Sequence, residues 1–326
     1  MRFSLSEEQR AFTKALDGLL EGSSTPQVAR SWAQGDHGPG KALWARLAEI
    51  GVSALQVPEE HGGIGGSPLD VVVAFDRLGF HAVPGPWIES TVLAPALLVG
   101  TSDADRLERL AAGEMLVSVA APPVAPRALD GDAADDVYLL EGATLHRASV
   151  HTLVESVDPT RRLGSVRAGE VVAALDDRAV SQALDAASLA CAAMLVGAGE
   201  RLLRDSVDYV GSRRQFGRVI GEYQALKHAL ADVRVGLDFA RPLLHGAALE
   251  LGAGSEVASR DVSAAMVASS AAAHRAARTA LQVHGAIGYT LEFDLSLWLL
   301  KVRALLSAWG TAGHHRARVL DALTRS

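Results

Sequence analysis

The stretch GSRRQFGRVIGEYQALKHALADV, Gly211 to Val233, interrupts a long helical pattern with a glycine-flanked loop and then restarts it. Ahead of the loop, Val196, Leu203, Val207 and Val210 fall on one apolar stripe of a first long helix. Beyond it, Leu226, Leu230, Val233, Leu237, Leu244 and Leu251 keep one helix face apolar for about seven turns, a face that needs partner helices. A third helix, Glu256 to Val283, is dominated by alanine, which favours helix and lets neighbouring backbones approach closely. Together with the pattern after Leu295, these segments predict a C-terminal four-helix bundle over residues 178–326.

Towards the N-terminus, helix-like patterns alternate with turn-forming runs such as GDHGPG, VPEEHGGIGGSP and HAVPGPW, which predicts a helical domain over residues 1–114. HGGIGG, His61 to Gly66, lacks the strand, lysine and following helix of a phosphate-binding loop and reads as an interhelical turn. Between the two helical parts, MLVSVAAPPVAP, VYLLEGATLHRASVHTLVE and GEVVAALDD are short runs rich in Val, Leu and Thr, expected to form a small β-domain over residues 115–177. The fold expected is mainly α.

A chain of 326 residues that is 49% hydrophobic can bury a substantial core. Its net charge of -7 and the lack of a long Lys/Arg block leave nucleic acid and anionic membranes without a source of attraction. The most apolar run, Ala186 to Gly199, is too short to span a bilayer, and the opening MRFSLSEEQRAF lacks the features of a signal peptide. The single cysteine, Cys191, excludes an internal disulfide and fits a reducing cytoplasm. A cytoplasmic protein with neither nucleic-acid nor membrane partners is expected.

Two segments carry chemistry. Arg213 and Arg214 can make bidentate, charge-assisted hydrogen bonds to a phosphate, and Phe216 offers a flat face to an aromatic ring, although on this segment alone a solvated arginine pair beside a buried Phe is the simpler account. LQVHGAIGYTLEF, Leu281 to Phe293, closes the alanine-rich helix with Gly285 and Gly288, where backbone can pass close to a ligand beside the Gln282 amide. In this order, with one helical hairpin between them, the two segments resemble the C-terminal signature of acyl-CoA dehydrogenases. LSEEQRAF, LWARLAEIGVSALQVPEEHGGIGGSPLD and GEMLVSVAAP resemble that family's first domain running into its β-domain, so the resemblance covers nearly the whole chain.

The resemblance implies FAD as cofactor, an acyl-CoA substrate and an electron-accepting flavoprotein or other acceptor. It further implies FAD contacts from Arg213, Phe216, Gln224, Gln282, Gly285 and Thr311, often towards the FAD of a neighbouring protomer. The family removes the α-proton of the acyl-CoA with a carboxylate while the β-hydrogen leaves as hydride to the flavin. Counted without a gap from Gly288, the family's YEGT segment falls on Ala308, Trp309, Gly310 and Thr311, so Trp309 stands where the usual glutamate would. An indole cannot accept that proton. An alternative family position for the glutamate falls on Ala187, and the neighbouring arginine position is Ser188. Ala286 replaces the second glycine of the usual pair, and the β region lacks the family's flavin loop.

Trp309 has a second account, continuation of a packing stripe through Leu295, Leu299, Val302 and Leu306. Asp185, Glu200 and Glu292 are candidates for a relocated base if buried, although most such acids are solvated. The adjacent His314 and His315 point about 100° apart on a helix and do not suit one metal ion, so surface or nucleotide contact is expected of them. The expected protein is a shortened acyl-CoA dehydrogenase subunit with no glutamate of its own. It resembles the short subunits of actinobacterial heterotetramers that oxidise steroid-derived CoA thioesters, and it would act with a full-length acyl-CoA dehydrogenase partner. An autonomous flavin enzyme with a relocated base and a flavin-free structural protein are the alternatives.

Overall fold

The computed structural model describes residues 4–215, 217–290 and 293–325; Phe216 and Glu292 lie outside them. The chain begins with helices α1 (Glu7–Glu21), α2 (Thr25–Ala33), α3 (Gly38–Glu49) and α4 (Pro68–Phe80). Ser6 and Ser67 open α1 and α4 with reciprocal capping boxes, pairing with Gln9 and Asp70, which satisfies N–H groups that would otherwise lack partners. His61 to Gly66 is indeed a turn between helices, and Gly63 packs where a Cβ would sit 1.8 Å from the Val57 carbonyl oxygen. A π-helical turn, Glu89–Leu93, runs into the short helix α5 (Ala94–Leu98), and α6 (Arg106–Ala111) follows.

The middle segment forms one five-stranded sheet in the order β1-β3-β4-β5-β2, with β1 (Val117–Ala120), β2 (Ala128–Leu129), β3 (Asp136–Glu141), β4 (Thr144–Val154) and β5 (Leu163–Ala174). Only β1 and β3 pair in parallel. Short strands were expected throughout; β4 and β5 instead span 11 and 12 residues. Their outer halves are largely exposed, so the alternation that marks a half-buried strand is absent there and the sequence pattern understates their length.

The remainder is helical: α7 (Asp177–Ser212), α8 (Gln224–Gly252), α9 (Ala258–His284), α10 (Leu295–Leu305) and α11 (Ala312–Arg325). A small hairpin of β6 (Arg214–Gln215) and β7 (Arg218–Val219) joins α7 to α8. Helix α7 is the spine of the bundle. It is long and apolar enough to cross a membrane by composition, yet 72% of its most apolar window is buried inside the protein, which marks a core helix. The stripe expected on α8 is largely buried, and α9 lies against α7 and α8 through small residues. One residue of the α7 stripe departs: Val207 is 49% exposed while Ser206 and Val210 beside it are buried, so it lies at the solvent edge of the stripe next to the exposed Asp208.

The expected stripe through Trp309 also needs correction. Helix α10 ends at Leu305, and Trp309 sits in the turn before α11 with φ of 54°, a conformation a helix interior cannot hold. Its indole is nevertheless 2% exposed, so it packs as a turn residue.

Candidate functional site

The described residues expected to contact FAD, Arg213, Gln224, Gln282, Gly285 and Thr311, are all on the surface, and Phe216 lies outside the described residues. Arg213 ends α7, its N–H bonded to the Tyr209 carbonyl, and leads into the β6–β7 hairpin; Gln224 is the first residue of α8. The Tyr209 ring stacks on His284 at 4.2 Å, which brings the end of α7 to the end of α9, where Gly285 follows with φ of 63°. No heavy atom lies within 4 Å of a Cβ built on Gly285, so it is the backbone conformation that calls for glycine. Arg213, Gln224 and Gly285 thus belong to one end of the bundle.

Gln282 belongs with a different set. It lines a cavity of about 640 Å3 between α9, α10 and α11, together with Arg275, Arg278, Arg303 and Arg316. No carboxylate lines this cavity. Arg275 is 3.9 Å from Asp232; Arg278, Arg303 and Arg316 have no carboxylate within 4 Å among the described residues. Thr311 stands at its edge, next to the lining residue Ala312, and its Oγ1 accepts the His314 N–H at 3.2 Å as the start of α11. Uncompensated guanidinium groups around a cavity of this size suit the pyrophosphate and ribose half of a dinucleotide. The four arginines escaped the reading of the sequence, although Arg275, Arg278 and Gln282 recur at spacings of 3 and 4 on one helix face.

The position where the resemblance puts the usual glutamate, Trp309, holds a buried indole. The Trp309 carbonyl oxygen accepts from Ser188 Oγ at 3.2 Å and faces His315 Nε2 at 3.0 Å. Ala187 beside it is fully buried and apolar. His315 is a core residue, contrary to the surface or nucleotide contact expected of it: it is 0% exposed, with Nδ1 3.2 Å from Ser263 Oγ, because the turn at Trp309 folds α11 back onto α9. A carbonyl only accepts, so Nε2 carries the hydrogen and Nδ1 accepts from the serine hydroxyl. His314 is exposed, and no group of three or more metal-ligating side chains occurs among the described residues.

Neither described candidate for a relocated base is free to act. Glu200 receives Arg234 Nη1 at 2.7 Å and Arg241 Nη2 at 2.8 Å. Although burial alone would raise it, those hydrogen bonds hold its carboxyl below the usual carboxylate range, which weakens it as a proton acceptor. Asp185 is 1% exposed and accepts from Ser259 Oγ and from Arg318 Nη2, the latter at 2.7 Å. Glu292 lies outside the described residues. A different acid, Glu89 in the π-helical turn, is 3% exposed, and burial pushes its carboxyl up to about 7. Nothing in the sequence distinguished it, since WIEST carries no periodicity or motif.

The buried histidine makes a pH-dependent prediction. Burial pushes His315 down to about 4, whereas an unfolded histidine titrates near 6.5. The unfolded chain therefore binds the extra proton between these values, and the stability His315 contributes above pH 6.5 is lost as pH falls towards 4. Glu89 and Asp130, both pushed up to about 7 by burial, act in the opposite sense, favouring the folded state as pH falls below 7. The contrast with a variant isolates the histidine. Urea unfolding at pH 7 and pH 4.5 should show wild type losing about 2 kcal/mol more than His315→Gln on acidification. Equal losses in both chains would show that His315 is not the buried neutral imidazole described.

Comparison with known proteins agrees with this architecture. Residues 6–114 match the acyl-CoA dehydrogenase N-terminal domain family, and residues 178–324 match the acyl-CoA dehydrogenase C-terminal domain family. The acyl-CoA dehydrogenase IpdE2 of Mycolicibacterium smegmatis is 34% identical over 297 residues, covering 90% of this chain and 92% of that one. Among solved structures, the ChsE4-ChsE5 complex from Mycobacterium tuberculosis superposes with a TM-score of 0.85 at 23% identity, covering 100% of both chains. The Tcur3481-Tcur3483 steroid acyl-CoA dehydrogenase superposes with a TM-score of 0.86 at 20% identity over 99% of both. The chain belongs to the acyl-CoA dehydrogenase family of FAD-dependent oxidoreductases.

Proposed function

We propose that this chain is the short subunit of a hetero-oligomeric acyl-CoA dehydrogenase, in which a full-length partner supplies the carboxylate base and this chain lends groups to FAD. The observation that carries the reading is an asymmetry. The position expected to carry the base, Trp309, is buried, while the described positions expected to face FAD, Arg213, Gln224, Gln282, Gly285 and Thr311, are exposed. Exposed binding groups beside a cationic cavity are what a surface awaiting a second chain offers. The likeness to two solved complexes of paired chains supports a partner, and one of them, a steroid acyl-CoA dehydrogenase, supports a steroid-derived acyl-CoA as substrate.

In the complex, Arg213, Phe216, Gln224, Gln282, Gly285 and Thr311 would hold the cofactor. Arg275, Arg278, Arg303 and Arg316 would balance the pyrophosphate charge. FAD, when bound, supplies acceptance of a hydride from the acyl β-carbon. The α-proton leaves to the partner's carboxylate, and this chain's part is to bind and orient. An electron-accepting flavoprotein or other acceptor would reoxidise the complex. The autonomous reading has no support from Glu200, whose carboxylate is held by two arginines.

Flavin stoichiometry tests the proposal. Co-expressed with a full-length partner, the chain should carry about one FAD per heterodimer and little alone. Arg213→Ala in this chain should lower the FAD content of the complex about tenfold at limiting FAD, the scale of one lost charge-assisted contact. One FAD per chain in a homo-oligomer of this protein would overturn the reading.

A further inference from the structure

A second cavity, of about 320 Å3, lies against Trp309 and shares no lining residue with the arginine-rich one. Its walls come from the π-helical turn, the segment between β1 and β2, the loop before β5, and the turn after α10. Much of the surface is apolar, with Trp309, Leu163 and Val124 prominent. Glu89 is set among these residues with its Oε2 buried and without a hydrogen-bond partner among the described residues. A buried oxygen in that condition is costly unless something present only in the bound state satisfies it.

Arg161 lines the same cavity. Its backbone N–H bonds to the Asp158 carbonyl, but its guanidinium has no carboxylate within 4 Å among the described residues. The obvious partner is committed elsewhere: Asp158 is 3.9 Å from the buried ammonium of Lys301. Arg127, also in the lining, donates to Ser165 Oγ at 2.6 Å. One small space therefore presents an uncommitted guanidinium and an uncommitted carboxyl that feel one another's charge without meeting in an ion pair.

The ligand that satisfies both must offer acceptors to the guanidinium and also accept from a carboxylic acid, with an apolar body for the indole wall. An organic carboxylate with a short alkyl chain meets all three conditions. We propose that this cavity binds a small apolar carboxylate, one oxygen held by Arg161 and the other accepting the O–H of protonated Glu89, so that binding takes up a proton. No bond is made or broken beyond that proton, which comes from solvent. The site is complete within this chain and does not depend on the partner subunit.

Burial already pushes Glu89 up to about 7, and an anion placed against it drives it further towards the protonated form. The charges around it come from several elements: Asp130 after β2, Asp158 and Arg161 before β5, Lys301 on α10, and Arg127 across the cavity. Of these, Asp130 is also pushed up to about 7 and needs a control. Cys191 on α7 is pushed up to about 12 and stays a thiol throughout.

Hexanoate titrated into the full chain by calorimetry, in phosphate and in Tris, measures both binding and the proton. At pH 7.5 the uptake should be about three-quarters of a proton, the ionised fraction of an acid titrating near 7, and about one-tenth at pH 6. Affinity should fall nearly tenfold between pH 7.5 and pH 8.5. Glu89→Gln, whose amide still donates, should bind hexanoate with no proton uptake, Arg161→Ala should bind at least tenfold more weakly, and Asp130→Asn should leave both unchanged. Binding without uptake at pH 7.5, uptake that survives in Glu89→Gln, or affinity no better than that of 1-hexanol overturns the proposal. Should Glu89→Gln fail to fold, the wild-type difference between the two buffers still decides. Flavin content of the hetero-oligomer is unaffected by any of these results, so this proposal and the subunit reading fail separately.

Discussion

Replacement of Trp309 by glutamate is expected to leave the proposed hetero-oligomer with the same turnover per complex as wild type, and to destabilise this chain by about 4 kcal/mol. The destabilisation has two physical sources. An indole that is 2% exposed leaves behind a void that the smaller side chain fills poorly, and a carboxyl is placed where no donor was provided for it. The backbone does not help, because the residue is held at φ of 54°, which glutamate tolerates no better than tryptophan. On the proposed reading activity should not return, because the carboxylate is only one of several parts expected to be missing: the resemblance puts a glutamate at Ala187 and an arginine at Ser188, and it implies a flavin loop that the β region lacks. The measurement is enoyl-CoA formed per complex with a steroid-derived acyl-CoA, alongside far-UV circular dichroism to establish the folded fraction. A doubling of active sites per complex from this one substitution would show that the glutamate alone had been lost.

The second large effect is expected at the crossing of α4 and α7. Gly79 and Gly197 face each other's helix backbones there. A Cβ on Gly197 would lie 1.8 Å from the Asp76 carbonyl oxygen, and one on Gly79 would lie 2.2 Å from that of Met194. Both obstacles are backbone, which cannot swing aside as a side chain can. Gly197→Val must separate two helices that bury Phe75, Leu78, Leu195 and Val196 between their neighbours, and it should cost more than about 4 kcal/mol. The contact also carries Trp298, whose Nε1 donates to the Phe80 carbonyl at 2.9 Å and whose ring lies 4.2 Å beneath the Arg201 guanidinium. The expected result is recovery mainly from the insoluble fraction, and a urea midpoint for any soluble protein well below that of wild type. A midpoint within experimental error of wild type would mean that the helices do not cross as closely as described.

Much of the architecture was legible before any coordinates. Helices α8 and α9 follow their hydrophobic periodicity and alanine content to within a few residues, since each repeats one physical requirement, an apolar face every turn. Ser6 and Ser67 announce the starts of α1 and α4 through local hydrogen bonding alone. The outer halves of β4 and β5 were less legible because they are exposed on a sheet with no neighbour to enforce alternation. Val207 and Leu203 look alike in sequence, yet only one is covered, because coverage depends on how far the partner helices reach around α7. At the site, Arg213, Gln224, Gln282, Gly285 and Thr311 were recognised through a resemblance, whereas Arg303 and Arg316 were not, having no fixed spacing to Gln282 along the chain.

The sequence alone determined the mainly α fold, the restart of a helix after the Gly211 loop, the family, and the lack of a glutamate at Trp309, for each of these is a local pattern or a residue identity. The tertiary structure alone decided that Trp309 lies in a left-handed turn, that His315 is buried, that Glu200 is held by two arginines, and that Glu89 shares a cavity with Arg161. Glu89 and Arg161 are 72 positions apart in the chain. Burial and charge act through space, and only the folded chain sets the distances on which they depend.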